Sequence, residues 1–470
     1  MMINYLKIIL LIFPFISFGK NLTLQNRFNP PARELMDIHI GDSIMIIPGN
    51  LDGYDFFDIS EPTFPVHISN LEIPIGNNNR AQPGFWITGN DSIAFITSRN
   101  KGNKSAIINF SDPFNPQHMG SLSFPGTNIN SLTLEGIDLM DSFLAVAAHG
   151  NGIFIFDIEN YQDPELFYEF QCENAWDVIF VDTSKIIIGN GEEGLIFKEL
   201  FCLSEICTEV YLETNGSVKD IQIRDNLLYV AEGSAGVSVY DFSDFNSPVF
   251  LGDYNTNGLS NKITLFGENK VAVSDWIDIK ILEWTGIDLQ LAGYKSTGKR
   301  TLAIASIDSV IFSAEWQHLQ TFIYGEIADP DLDISSWDIS FPALEIGASD
   351  TFDILIENNG QFPLGIAGSS PSHPDFEVIN FPEYLDIFES RISQIIYTRS
   401  DQNASGTINL LSNDPDETEI VIQLVGNYDG GIVGVDAPEF SLPIVANGNG
   451  NFTLSDHIGK IVVLAFFAPG

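Results

Sequence analysis

The amino-acid sequence predicts a mainly β protein in which a ring of repeated four-stranded sheets precedes a separate β-sandwich. One pattern recurs along residues 36–327: an acidic or Asn turn, a β-rich run, a Gly and a second β-rich run. The chain also contains 36 Phe among 470 residues, and aromatic side chains favour strands. A hydrophobic content of 44% argues against wholesale disorder.

The first 19 residues predict an export signal. Lys7 precedes the apolar stretch 8–18, and Gly19 is a small residue placed for cleavage. The alternative, a membrane anchor, is disfavoured because the apolar run is too short to span a bilayer and Pro14 interrupts it. No later stretch is apolar enough to add a transmembrane segment. We therefore expect export to the periplasm or to the cell surface.

The charge balance excludes one class of partner. The chain carries 63 acidic and 21 basic residues, a formal net charge of −42. Binding of phosphate backbones needs clustered Lys and Arg, so we expect no nucleic-acid partner. The 7 His lack the spacing of zinc ligands. No phosphate-binding loop, dinucleotide fingerprint or hydrolase nucleophile elbow is present in the sequence.

The sequence contains 3 cysteines, Cys172, Cys202 and Cys207. The short segment between Cys202 and Cys207 reads as a hairpin loop, and an exported protein meets an oxidising compartment, so we predict a disulfide here. A redox role for this pair is disfavoured, because the spacing is not Cys-x-x-Cys and no helix start follows to lower a thiol pKa. Cys172 is predicted to be a buried free thiol.

Residues 36–327 divide into seven units of about 40 to 50 residues, the length of a four-stranded propeller blade. The first β-rich runs of these units begin at Asp42, Asp91, Asp141, Asp182, Asp225, Glu268 and Asp308. A seven-bladed β-propeller closes without an unpaired sheet edge. A β-solenoid is the alternative, but its period would be shorter. We expect residues 37–40 to help close the ring with the last blade.

The second β-rich runs show the repeat most clearly, and the best copy is Gly236-Val237-Ser238-Val239-Tyr240-Asp241-Phe242-Ser243. It resembles the repeat family named after its Leu-Val-Ile-Val-Asp signature (LVIVD), which forms β-propellers. Such folds offer loop faces on which a protein, peptide or glycan ligand is expected. Asp58, Asp157 and Asp241 recur at equivalent positions. We expect them to stabilise turns through their own backbone rather than to bind a cation.

Residues 329–428 contain short alternating strands separated by turn signals, a pattern typical of an immunoglobulin-like β-sandwich. Three motifs carry a further resemblance: Asn358-Asn359-Gly360, Gly406-Thr407-Ile408 and Ser412-Asn413-Asp414-Pro415. They resemble bacterial modules of the Hydin-like and choice-of-anchor type, which are spacers or interaction domains.

Acidic residues follow the last of these motifs. Asp414, Asp416 and Glu417 are candidate calcium ligands, because calcium prefers carboxylate oxygens. The alternative is a solvated acidic turn. Calcium is the only cofactor that the sequence suggests.

After a predicted linker at 429–434, residues 435–470 contain an Ala437-Pro438-x-Phe440-x-Leu442-Pro443 entry. A Leu454-Ser455-Asp456-x-x-Gly459-Lys460 turn and an apolar run at 461–468 follow. This order resembles the opening of the redoxin (alkyl-hydroperoxide-reductase/thiol-specific-antioxidant) families. The resemblance implies an incomplete thioredoxin-like α/β fragment. Its reactive cysteine is expected beyond Gly470, so no catalytic residue is assigned.

Two functions remain open from the sequence. In the first, the complete protein is a thioredoxin-like thiol–disulfide oxidoreductase or an antioxidant peroxidase. The propeller and the sandwich then bind or tether partners. In the second, the chain is a non-enzymatic binding or adhesion protein of the cell surface. The coding sequence beyond codon 470 distinguishes them, because only the first function requires a cysteine motif there.

Overall fold

The computed structural model describes residues 20–75, 80–99, 104–201, 207, 209–316, 318–326, 329–368, 370–400, 404–428, 441–443 and 451–457. The chain divides into two units, residues 1–328 and 329–470. The predicted export signal, the predicted linker at 429–434 and the apolar run at 461–468 lie outside the described residues. Regular structure in the described residues is almost entirely β-strand. None of the described helices has the length and hydrophobicity needed to cross a bilayer.

The first unit begins with strand β1 and continues as short antiparallel sheets that follow one another along the chain. β1 spans Lys20–Phe28. The first sheet contains β2 Arg33–Leu35, β3 His39–Ile40, β4 Ile44–Leu51, β5 Tyr54–Asp58 and β6 Val66–Leu71, and a hairpin of β7 Pro74–Ile75 and β8 Arg80–Ala81 follows it. The second sheet contains β9 Trp86–Gly89, β10 Ile93–Thr97, β11 Ser105–Asn109 and β12 Gln117–Gly120.

The next three sheets have the same four-stranded order. The third contains β13 Ile137–Met140, β14 Phe143–Ala147, β15 Ile153–Asp157 and β16 Glu165–Phe170. The fourth contains β17 Asp177–Asp182, β18 Lys185–Gly189, β19 Leu195–Glu199 and β20 Glu209–Leu212. The fifth contains β21 Asp220–Arg224, β22 Leu227–Ala231, β23 Val237–Asp241 and β24 Val249–Tyr254. Short 3₁₀ helices lie at Ile129–Ser131 and Gly191–Glu193.

The last sheet of this unit is larger. It contains β25 Ser260–Phe266, β26 Lys270–Trp284, β27 Leu289–Ile307, β28 Val310–Glu315 and β29 Leu319–Glu326, and β1 completes it as a sixth strand. The pairing register of the long strands β26 and β27 shifts between Trp276 and Asp278, and that of β27 and β28 shifts between Thr301 and Ala303. Both long strands are therefore irregular near their middle.

The position that opens the second β-rich run is Gly for a steric reason. Gly152, Gly194 and Gly236 have φ angles of 78°, 86° and 95°, in the left-handed region. A Cβ atom at these positions would lie 1.9, 2.2 and 2.1 Å from a carbonyl oxygen of the last strand of the same sheet, β16, β20 and β24 respectively. Only Gly fits such a close approach, which explains why the repeat keeps it.

The hydrophobic core lies between neighbouring sheets. Phe56 of the first sheet shares a buried cluster with Phe110 and other residues of the second, and similar clusters join each later pair of sheets. A further cluster joins the first sheet to the last through Phe57 and Phe312. The array of sheets therefore closes on itself.

The strand that completes the last sheet differs from the one that the sequence predicts. β1 pairs antiparallel with β29, from Lys20 opposite Glu326 to Phe28 opposite Leu319. In contrast, His39 and Ile40 pair with β4 inside the first sheet. The domain therefore starts before residue 36. The sequence pattern missed β1 because this strand lacks the Gly and the Asx turn of the repeat.

The second unit contains two sheets. One has the order β30 Leu332–Ile334, β32 Ser349–Asn358, β36 Ser390–Thr398 and β34 Phe376–Ile379. The other has the order β31 Asp338–Pro342, β38 Glu419–Tyr428, β37 Ser405–Ser412, β33 Leu364–Gly368 and β35 Tyr384–Leu385. One buried cluster draws residues from both sheets, including Ile354 and Ile395 of the first and Ile408 and Ile422 of the second.

Two motifs of this unit hold loops to strands. Asn358 is buried, donates from Nδ2 to the carbonyls of Phe362 and Asp386, and accepts at Oδ1 from the backbone of Asp331. Asn413 accepts at Oδ1 from the backbone N–H of Gly365 at 2.7 Å. Buried polar groups need such partners, so Asn358 has a structural role, and the Asn413 contact ties its turn to β33.

Near the C-terminus, β39 Ser441–Pro443 pairs antiparallel with β40 Asn451–Thr453, and a 3₁₀ helix at Leu454–His457 follows. This hairpin covers the described part of the segment that resembles a redoxin.

Candidate functional site

The connections at one end of the first unit's strands form a common surface, which we call the loop face. In an antiparallel sheet of four strands, the connection between the second and third strands and the connection to the next sheet lie at the same end. Residues 148–152 and 190–194 are connections of the first kind, as are the described residues 98, 99 and 104, and residues 121–136 and 171–176 are connections of the second kind.

A cavity of about 200 Å³ lies on the axis of the array. The segment before β3 and the first strands of the following sheets line it, including Asp37, Asp138, Asp177, Asp220 and Lys262. Neighbouring sheets are joined here by carboxylates that accept backbone N–H groups. Asp37 accepts from Ile87 at 3.1 Å, Asp177 from Ile221 at 2.9 Å and Asp220 from Ile263 at 2.7 Å.

Lys262 is the cation of this cavity. Its Nζ lies 3.2 Å from Asp37 Oδ2, 3.7 Å from Asp220 Oδ1 and 3.2 Å from the centre of the Trp86 ring. Burial lowers the pKa of Lys262, but the charges of Asp37, Asp220 and Asp177 outweigh it and the pKa is raised. Burial raises the pKa of Asp220 to about 7 and that of Asp138 to about 6.

Trp86 connects the cavity to the loop face. Its Nε1 donates to Glu135 Oε2 at 3.2 Å, and Glu135 is fully buried. Glu135 also forms an ion pair with Arg99, whose Nη2 donates to Oε2 at 2.6 Å. His149 Nε2 lies 2.7 Å from Glu135 Oε1, and its Nδ1 lies 2.8 Å from Asn174 Oδ1. One buried carboxylate therefore organises three side chains at the mouth of the cavity.

Two further cations rest on indole rings on the loop face. Lys219 Nζ lies 4.0 Å from the centre of the Trp176 ring, and Arg99 also lies over this ring at 5.1 Å. The Arg300 guanidinium carbon lies 4.3 Å from the centre of the Trp276 ring and 5.4 Å from that of Trp316. Such cation–π contacts fix long basic side chains at a surface.

The backbone around Arg300 is unusual. Trp276 is 40% exposed and has a φ of 64°, a conformation that bulky residues rarely adopt. Trp316 is 37% exposed, and its backbone N–H donates to the Arg300 carbonyl at 3.0 Å. An exposed aromatic side chain on a strained backbone is typical of binding sites.

We call Arg99, Lys219, Arg300, Trp176, Trp276 and Trp316 the mouth cluster. Sequence reasoning missed all six, because they lie outside the repeat pattern, in strand connections or in the long strands β26 and β27. One signal was available: with only 21 basic residues in the chain, any clustered cations stand out. Their proximity, however, depends on contacts between distant sheets.

Residues 215–256 match the family model of the LVIVD repeat. The segment covers the fifth sheet and contains the copy at 236–243, so the resemblance is confirmed for this repeat. No curated protein matches the chain.

A solved structure titled "Structure of U3-55K" is similar with a TM-score of 0.51 and 9% identity, over 64% of this chain and 98% of that chain. At this identity the likeness shows the fold alone. Together with the LVIVD repeat and the closed array of antiparallel sheets, it makes the first unit propeller-like.

The predicted turn residues of the LVIVD-like repeats form turns. Asp58 Oδ1 accepts from the Ser60 N–H at 2.8 Å, Asp157 from Glu159 at 2.9 Å and Asp241 from Ser243 at 2.8 Å. These are the contacts of Asx turns. The three carboxylates are therefore engaged as hydrogen-bond acceptors. They lie at the end of the strands opposite the loop face.

The predicted calcium ligands are only partly brought together. Carboxylate oxygens of Asp414 and Glu417 lie within 4.8 Å of one another and of Asp331, and all three residues are buried. Asp416 is not in this group, and its backbone N–H donates to Asp414 Oδ1. Asp331 was not predicted, because it lies 83 or more residues earlier on another strand connection. These three carboxylates are the ones that could hold a hard cation, and calorimetric titration with Ca²⁺ tests this.

The cysteines also divide into two kinds. Cys207 is disulfide-bonded, and its predicted partner Cys202 lies outside the described residues. Cys172 is a free thiol whose pKa burial raises to about 12. A thiol that holds its proton so firmly is a poor nucleophile.

Proposed function

We propose that the first unit is a binding module, and that it holds its partner at the mouth of the axial cavity on the loop face. The observation that supports this is the mouth cluster, in which basic side chains lie on partly exposed tryptophans in a chain of net charge −42. Aromatic and Arg side chains dominate the energetics of binding surfaces.

We also propose that this unit has seven blades. Dividing β26 and β27 at their irregular middles splits the six-stranded sheet into two sets of four strands. The second set consists of the end of β27 with β28, β29 and β1. Five preceding sheets and these two sets give seven, which agrees with the count of sequence units.

The second unit is proposed as an immunoglobulin-like spacer. Its two sheets with a shared core support a sandwich, and the loop-holding Asn residues make a rigid connector. We further propose export, since a disulfide at Cys207 is favoured in an oxidising compartment.

The redoxin function remains the second candidate for a longer polypeptide. The pairing of β39 with β40 supports it, because both strands lie within the segment that resembles the opening of a redoxin. In that protein the two units would tether or present substrates. An open reading frame without a cysteine motif after codon 470 would contradict it.

Arrays of immobilised peptides and glycans test the binding function. We expect at least one ligand whose signal falls about tenfold in Arg300→Ala, the loss typical of a central contact. Lys185→Ala is the matched control, because Lys185 also lies over an aromatic ring, that of Phe245, but at the start of β18, at the end of the strands opposite the loop face. Ligands that Lys185→Ala weakens and Arg300→Ala leaves unchanged would contradict the proposal.

A further inference from the structure

The mouth cluster has a specific ligand chemistry. Resting on the proposed binding function, we propose that it takes a carboxylate of an acidic peptide segment, with Arg300 as the receiving cation and Trp276, Ile277 and Trp316 as the wall for an adjacent apolar side chain.

The cations of the cluster differ in how far they are neutralised. Arg99 is paired with the buried Glu135. Among the described residues, neither Lys219 nor Arg300 has a carboxylate within ion-pair distance, and each lies on an indole ring instead. In a chain with three times more acidic than basic residues, cations without an ion-pair partner are free to receive a ligand.

These two cations are also held at an electrostatic cost. Burial, and next the charge of Arg99, lower the pKa of Lys219, and the charges of Glu192 and Glu135 oppose this shift without reversing it. Burial likewise lowers the pKa of Arg300, with Arg99 adding to the effect and Glu34 opposing it. Arg99 therefore repels both Lys219 and Arg300, and an anion bound at Arg300 relieves the repulsion there.

The shape of the site favours a carboxylate. A guanidinium within 5.4 Å of the centres of two indole rings is held in place by both of them, together with its planar fork of N–H groups. Such a fork matches the two oxygens of a carboxylate in a bidentate pair. A duplex or long polyphosphate is disfavoured, because it needs many phosphate contacts and the rest of the chain is strongly acidic.

The aromatic residues favour a peptide over a sugar acid. The Trp176 ring carries both Lys219 and Arg99, and Trp276 and Trp316 carry Arg300, so these indole faces are engaged by cations. Stacking of a sugar ring would have to displace them. Trp276, Ile277 and Trp316 remain 40%, 43% and 37% exposed, and this apolar patch suits a side chain next to the acidic residue.

The test uses the full chain and three probes: a fluorescent peptide of alternating Glu and Phe, the same peptide with Gln for Glu, and trigalacturonate. We expect the Glu peptide to bind, the Gln peptide to bind at least about tenfold more weakly, and the difference to shrink as salt screens the charges. Trigalacturonate is expected to bind more weakly than the Glu peptide.

Variants assign the effect to the cluster. Arg300→Ala is expected to weaken binding of the Glu peptide about tenfold or more, and Arg300→Lys to weaken it less, because a Lys keeps the charge but not the fork. Lys185→Ala is expected to leave it unchanged. Circular dichroism of each variant verifies folding.

Three results would overturn the inference. Equal affinity for the Gln and Glu peptides would show that the site does not recognise a carboxylate. Tighter binding of trigalacturonate would show that the ligand is a glycan and not a peptide. Wild-type affinity for the Glu peptide in a folded Arg300→Ala variant would show that the peptide does not bind at Arg300. A neutral array ligand that depends on Arg300 would leave the binding function standing and reject only the carboxylate, whereas loss of all dependence on the loop face would reject both.

Discussion

Acidification from pH 8 to pH 5 is expected to raise the thermal midpoint of the first unit by about 5 °C or more. The reason is a set of buried carboxyls that hold their protons in the folded state. Burial raises the pKa of Asp138 and Asp278 to about 6, of Asp220 and Glu232 to about 7 and of Glu315 to about 8.

The sign follows from proton binding. Between about pH 4 and pH 8 the folded state binds more protons at these carboxyls than the unfolded state, so the free energy of unfolding falls as pH rises. Two histidines act in the opposite direction, since burial lowers the pKa of His39 and of His318, and both cost stability below about pH 6.5. The carboxyls are more numerous and their combined effect prevails, on the order of a few kcal/mol.

Asp138→Asn isolates one contributor. Its Oδ2 accepts the Phe180 N–H at 2.8 Å, and an amide oxygen keeps this bond. The variant is expected to be more stable than the parent at pH 8 and similar at pH 5, as measured by calorimetry. Asp58→Asn is the control, because the hydrogen bonds from Ser60 lower the pKa of this exposed carboxylate and no gain at pH 8 is expected. A parent protein that is equally stable at both pH values would refute the burial argument.

Leu22→Ala is expected to lower the free energy of unfolding of the first unit by about 2–5 kcal/mol. Leu22 is fully buried in β1, where it joins a cluster with residues of β26, β27, β28 and β29. A strand that completes a closed array removes the last unpaired edge, so loosening it affects the whole unit. Guanidinium unfolding monitored by tryptophan fluorescence measures this change.

Gln25→Ala on the same strand is the matched control, with an expected change within about 0.5 kcal/mol because its side chain is not fully buried. Removal of residues 20–28 is expected to expose the β29 edge and to cause association, visible by light scattering. Closure by β1 would be rejected if Leu22→Ala cost no more than Gln25→Ala.

The repeat could be predicted because it is local. The left-handed Gly at 152, 194 and 236, the Asx turns and the alternating strands depend on residues within one sheet. The Asn358 and Asn413 motifs were likewise visible, although the sequence did not say which loops they hold. A disulfide at Cys207 could be predicted for the same reason, because its expected partner, Cys202, lies close to it in the sequence.

The mouth cluster depends on longer distances. In the sequence, about a hundred residues separate Arg99 from Lys219 and Lys219 from Arg300. A similar distance separates Asp331 from Asp414 in the second unit. The sequence by itself determined the repeating strand pattern, its turns and the strongly acidic surface, because backbone sterics and composition act on neighbouring residues. Only the tertiary structure decided that β1 completes the last sheet and that three basic side chains lie over tryptophans on the loop face, since these contacts arise when the sheets pack into a closed array.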